Sequence, residues 1–134
     1  MVMIKNMNNK GFTLIELLAV LAILTAIMGI AIPSISSSLE RSKEKQNESI
    51  KKMLVSFAEL YVTDHKNAVY NQIGTGTSCY ILISDLKEEG YANEESVKDA
   101  DDKELIWDYI LFTKPSSYVY VEASAKETDI PDCK

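Results

Sequence analysis

The sequence is poor in the residues that most often carry chemistry. It has one histidine, His65, two cysteines, Cys79 and Cys133, one tryptophan and no CxxC pair. A general base needs a nucleophile within reach and a pocket around both, and nothing near His65 supplies either, so a solvated helix residue is expected there. Basic residues are scarce as well: net charge is −6, and outside Arg41, Lys43 and Lys45 there is no basic stripe. A general electrostatic grip on nucleic acid or anionic lipid needs clustered Lys and Arg, so that class is set aside. The Gly74 to Ser78 run, GTGTS, lacks the lysine and preceding strand of a phosphate loop. Asp99, Asp101 and Asp102 lack the glycine and distal glutamate of a calcium loop and read as a solvated turn. No catalytic residue, metal or cofactor is expected.

What is abundant is apolar length. Gly11 to Pro33 reads GFTLIELLAVLAILTAIMGIAIP, and the 21 residues from Phe12 to Ile32 carry one formal charge, Glu16. About 20 apolar residues at 1.5 Å each cross the roughly 30 Å hydrocarbon core of a bilayer, so a transmembrane helix is expected. A carboxylate in such a run is costly, and by default it is paired or functional. The preceding residues, MVMIKNMNNK, are polar and basic, with Lys5 and Lys10 and no acid.

The string Gly11-Phe12-Thr13-Leu14-Ile15-Glu16 resembles the class III signal of type IV pilins and pseudopilins: a short basic leader, a glycine, a phenylalanine, and a glutamate as fifth residue of the mature chain. The resemblance implies that a membrane prepilin peptidase cuts between Gly11 and Phe12, and that the new Phe12 amine is methylated. It also implies an assembly role for Thr13 and Glu16, the Glu16 carboxylate pairing with the Phe12 ammonium of a neighbouring subunit. The partners implied are other copies of the chain, other pilins, the peptidase, and a membrane platform driven by a cytoplasmic ATPase. An isolated buried charge is expensive, so a subunit that satisfies Glu16 only beside another free amine carries its own assembly register.

A competing model is a conventional signal peptide cut near Gly29-Ile30-Ala31. Its apolar core of 7–15 residues is shorter than this one, and it leaves Glu16 without a purpose. Orientation is set mildly: Lys5 and Lys10 lie closer to the span than Arg41, Lys43 and Lys45, which favours the leader inside.

Pro33 removes a helical donor and clashes with the carbonyl of Gly29, so Gly29 to Pro33 is the expected hinge, the alternative being that the helix ends there. Beyond it, Ile50, Met53, Leu54, Phe57, Leu60 and Tyr61 fall at amphipathic-helix spacing, which extends a helical spine to about Tyr70. Asn71 to Ser78 reads as a loop, and Cys79 to Ile83 as an apolar lead-in. Ser84 is the expected N-cap of a short helix, Asp85 to Glu89, that Gly90 ends. Tyr91 to Lys103 reads as an acidic loop. Leu105 to Phe112 and Tyr118 to Ala123 read as two strands joined through Pro115, with a further strand near Thr128 to Ile130. Trp107, Tyr109, Tyr118 and Tyr120 are assigned to cross-strand packing, the alternative being an adhesive patch.

Two cysteines in a chain facing an oxidising exterior are expected to pair, closing a 54-residue loop that resembles the C-terminal disulfide loop of pilins. The whole is expected to be an α+β subunit: leader 1–11, transmembrane and polymerisation helix 12–33, amphipathic spine 34–70, and an antiparallel head 71–134. Its expected place is the cytoplasmic membrane before assembly and an extracellular filament afterwards. Within the family a minor pilin or pseudopilin remains open; outside it stands a membrane-anchored or secreted binding module that never polymerises.

Overall fold

A computed structural model describes residues 11–134; the leader with Lys5 and Lys10 lies outside the described residues. The chain divides into two compact units, one ending at Glu40 and one comprising Arg41–Lys134. Helix α1 spans Leu14–Asp64, 51 residues, and holds Pro33 in its interior, so the helix does not end at that proline. Nothing lies within 4 Å of a Cβ built on Gly29.

The head is the second unit. Its part of α1 buries Leu54, Ala58, Tyr61 and Val62, with Ile50, Val55 and Phe57 packed at the margin. Met53 and Leu60, expected on the same stripe, are instead exposed. The reason is angular: at 100° per residue, Leu54, Ala58 and Tyr61 share one face, and Met53 and Leu60 fall away from it. The spine is interrupted at His65, whose φ of −108° and ψ of 22° separate α1 from helix α2, Lys66–Ile73. Asn71, Gln72 and Ile73 are therefore helical rather than loop, Gly74, at φ +57°, ends the element, and Ser78, the last residue of the expected loop, opens a strand.

Three antiparallel strands follow in the order β1 (Ser78–Leu82), β2 (Tyr109–Thr113) and β3 (Ser117–Val121), with β2 central. The lead-in at Cys79 is thus an edge strand, and the third strand of the sheet is β1, not Thr128 to Ile130. Two rungs, Cys79–Phe112–Tyr118 and Ile81–Ile110–Tyr120, share one face, and Cys79, Ile81, Ile110 and Phe112 are buried with the α1 core residues. Phe112 and Tyr118 hold their rings 5.1 Å apart. Tyr109 sits on the other face against Tyr80, at 5.6 Å.

Helix α3 covers Ile83–Glu88 and has no side-chain cap. Its first N–H groups are satisfied from a distance: Ile83 donates to the Asp108 carbonyl at 3.0 Å and Ser84 to the Ile106 carbonyl at 3.1 Å. Orphan donors at a helix start need some acceptor, and here main chain replaces the serine. The same two carbonyls explain why β2 begins at Tyr109 and not Leu105, since they are committed to α3. Trp107, between them, lies outside the hairpin and is 67 % exposed. Gly90, at φ +83°, ends α3, with Tyr91 N–H and Ala92 N–H both returning to the Leu86 carbonyl.

The C-terminal segment closes the edge of β1. Tyr80 donates to the Pro131 carbonyl at 2.9 Å, and Cys133 N–H donates to the Tyr80 carbonyl at 2.7 Å. Cys79 and Cys133 are disulfide-bonded, both buried, with Cα atoms 5.1 Å apart. An open edge is a template for unwanted pairing, and this tail covers it.

Candidate functional site: the N-terminal segment

Gly11, Phe12 and Thr13 precede the first helical residue, Leu14. The start of α1 is a reciprocal cap. The Thr13 hydroxyl accepts the Glu16 N–H at 3.3 Å, and a Glu16 carboxylate oxygen accepts the Thr13 N–H at 3.5 Å. The Thr13 carbonyl accepts from both Glu16 and Leu17. This is the T-x-x-E capping box, which satisfies two orphan donors and places a negative charge at the positive end of the helix dipole. Phe12, Thr13 and Glu16 line one open concavity with Gly11. Around Gly11 itself nothing lies within 4 Å of an added Cβ, so crowding within the chain does not demand a glycine there.

Past the cap, the residues from Phe12 to Leu39 are exposed without exception; Phe12 is 87 % exposed, Leu14 78 % and Ile30 79 %. Burying a large apolar side chain gains about 1.5–3 kcal/mol, and fifteen such residues stand bare in this stretch, a driving force of tens of kcal/mol towards lipid or protein. Helix α1 is long and apolar enough to cross a membrane.

In the head the structure brings together polar groups that the sequence leaves unconnected. His65 is stacked on Tyr61, ring centroids 4.7 Å apart, with its Nε2 3.5 Å from Glu89. It is half-buried rather than solvated. The Tyr91 phenol donates to Asp64 at 2.8 Å, and that hydrogen bond, aided by burial, raises its pKa to about 12. The Tyr120 phenol donates to Asp108, whose other oxygen accepts the Ala123 N–H; burial first, and this hydrogen bond second, push Tyr120 well above the ordinary phenol range. Asp99 caps its own turn, accepting from the N–H groups of Asp101 and Lys103, and Asp101 pairs with Lys43, whose pKa rises through that contact. A polar cleft of about 410 Å³ lies nearby, lined by Asn47, Lys51, Lys103 and Glu122 among others. Among the described residues no cluster of three metal-ligating side chains occurs. Apart from the Tyr61–His65 stack and the Asp99 turn, these contacts join residues at least 12 apart in the chain, which is why pattern alone does not reveal them.

Fold and segment together define a class: a long N-terminal helix, apolar enough in its first part to cross a membrane, with a small α+β head. Residues 6–32 match the family model of the prokaryotic N-terminal methylation motif. The chain is 31 % identical over 84 residues to the competence protein ComGC of Halalkalibacterium halodurans, covering 63 % of this chain and 72 % of that one. It is 29 % identical over 91 residues to the ComGC of Bacillus subtilis, covering 68 % and 82 %. Over 65 residues it is 35 % identical to the type IV wide pilus major component PilA4 of Thermus thermophilus, covering about half of each chain. No solved structure matches. The chain belongs to the type IV pilin and pseudopilin family.

Proposed function

We propose that the chain is a structural subunit of an extracellular type IV pilus-like filament, with no catalytic role. A prepilin peptidase cleaves after Gly11, the Phe12 amine is methylated, and the subunit waits in the cytoplasmic membrane until a platform with a cytoplasmic ATPase moves it into the filament. There the apolar helices pack together and Glu16 pairs with a neighbour's Phe12 ammonium. Thr13 shares the assembly role through its cap on Glu16, and Gly29 to Pro33 is the hinge. The partners are other copies and other pilins; nucleic acid is not bound specifically by the subunit itself.

The observation that carries this reading is the fully exposed apolar helix from Leu14 to Leu39, broken by one carboxylate held at its first turn. A bilayer accommodates the helix, and a partner with a positive charge neutralises the carboxylate once water is excluded. Within the family a filament serving competence is favoured, because the competence relatives are covered over 72 % and 82 % of their lengths and the wide-pilus component over 50 %.

Mass spectrometry of the mature N-terminus tests the reading. A methylated Phe12 start in sheared filaments is expected. Gly11→Leu is expected to leave an unprocessed membrane protein, and Glu16→Val, expressed alone, to be processed and to assemble poorly. An N-terminus near Ile32, or normal filaments from Glu16→Val alone, would overturn it.

A further inference from the structure

The sheet of the head has two edges, and the chain covers only one of them. On β1 the main chain of Tyr80 points outward and meets the tail: its N–H donates to the Pro131 carbonyl, its carbonyl accepts the Cys133 N–H, and Tyr80 and Asp132 form a parallel bridge. Nothing comparable lies along β3 among the described residues. The Lys114 N–H donates to the Thr77 carbonyl, so Thr113, Leu111 and Tyr109 are the residues of β2 that turn towards β3, where Ser117, Val119 and Val121 answer them. Main-chain groups alternate in direction along a strand, and the N–H and C=O groups of Tyr118 and Tyr120 therefore point away from the sheet. The next outward residue, Glu122, already has its carbonyl taken by the Ala125 N–H.

An edge without a partner is usually blunted by a charge or a proline, because bare N–H and C=O groups template pairing with any passing strand. Strand β3, Ser-Tyr-Val-Tyr-Val, carries neither. Val119, on the face turned away from α1, is 52 % exposed; beyond α1 only Val119 and Trp107 are large apolar side chains left this open among the described residues.

The tail presents a matching set. Pro131 and Cys133 turn their main chain towards Tyr80, so Ile130 and Asp132 turn theirs away, and among the described residues no hydrogen bond occupies those groups. Each edge thus offers two residues, two apart in sequence. The directions agree as well: β1 and β3 are both antiparallel to β2, and the tail is parallel to β1, so the tail and β3 run the same way. Within one chain they stand at opposite edges, three strand spacings or about 14 Å apart, and cannot meet. Copies assembled in one sense bring β3 of one beside the tail of the next as parallel strands.

We infer that β3 receives the tail of a second copy, so that neighbouring heads join edge to edge in one continuous sheet. The Ile130 N–H of one copy donates to the Tyr118 carbonyl of the other, the Tyr120 N–H donates to the Ile130 carbonyl, and the Asp132 N–H donates to the Tyr120 carbonyl. In this register Ile130 lies beside Val119 on the face away from α1, and a slip of one residue would send it to the opposite face. Main-chain hydrogen bonds hold the contact and the Val119–Ile130 pair sets its register. Because the two edges differ, each head gives one tail and receives another, and the contact propagates through many copies instead of closing on a pair. Equivalent strands of successive heads stand four spacings, about 19 Å, apart. This rests on the filament reading and deepens it, because it names a contact between heads.

The test uses full-length chain expressed in its own host, with Cys79 and Cys133 held in their disulfide. Sheared filaments of the double variant Val119→Cys, Ile130→Cys, treated with a short bismaleimide, are expected to give a ladder of dimers, trimers and longer species, and either single variant none. Val119→Asp is expected to cut sheared filament at least fivefold, with cleavage at Gly11 and head melting unchanged, and adding Ile130→Lys to bring the yield back within twofold of wild type. A ladder absent from the double variant, dimers from Val119→Cys alone, adducts only with a different protein, or wild-type yield from Val119→Asp would each overturn the inference and leave the filament reading standing. Wild-type chain that never appears in sheared material would defeat both.

Discussion

The Thr13 N–H donates to the Glu16 carboxylate 3.5 Å away while the Thr13 hydroxyl accepts the Glu16 N–H, so one short segment both opens the helix and holds the one charge of its apolar stretch. Within a single subunit the carboxylate already has a donor. In the proposed filament a neighbour's Phe12 ammonium would set a full positive charge against a carboxylate whose hydrogen bond from the Thr13 N–H is already charge-assisted.

That cap is testable apart from assembly. Thr13→Ala removes the hydroxyl and is expected to weaken the helix start by about 1 kcal/mol, with Thr13→Ser close to wild type. Amide hydrogen exchange of Leu14 to Leu17 in detergent is expected to quicken about fivefold in the alanine variant, since about 1.4 kcal/mol is tenfold; equal rates would refute the cap.

The disulfide joins the tail to the edge strand of a small head. Replacing both Cys79 and Cys133 by serine is expected to cost about 2–5 kcal/mol, seen as a fall in the thermal midpoint of the full chain in detergent. The Pro131 and Cys133 hydrogen bonds to Tyr80 are expected to go with it, so limited proteolysis should clip the tail near Lys126.

Core packing turns on Phe112, fully buried between Tyr70 and Tyr118. Phe112→Ala is expected to cost about 3–5 kcal/mol and Phe112→Leu less, measured by denaturant titration.

Alkaline stability depends on the tyrosines. Tyr91 has its pKa raised from 10 to about 12, chiefly by the hydrogen bond to Asp64, so the folded state holds the proton that the unfolded chain releases. Its stabilisation is complete below pH 10 and is lost as pH rises to about 12, the sign required when the folded state binds more protons. Stability should therefore fall across that window, and Tyr91→Phe should show a shallower fall; an unchanged slope would count against the Asp64 contact.

The short connections and the sheet were legible only in part. The hairpin was readable because Val, Ile and Tyr flank a proline-bearing turn, and the register Thr113 to Ser117 closes it there. β1 was missed as a strand because Cys79 to Leu82 shows no polar–apolar alternation and its partner is remote; it pairs with Tyr109 to Thr113, about thirty residues away. Ser84 looked like a cap because serine is a good one, but carbonyls from Ile106 and Asp108 arrived first.

The sequence by itself determined the segment from Gly11 to Pro33, because glycine, phenylalanine, glutamate and apolar length act locally and need no partner within the chain to be recognised. It also determined that the spine is helical, since period and propensity are properties of adjacent residues. Tertiary structure alone decided which side of that spine is core. Met53 and Leu60 carry the same hydrophobic signal as Leu54 and Tyr61, and only the position of the sheet, fixed by contacts across some fifty residues of chain, buries one pair and leaves the other exposed.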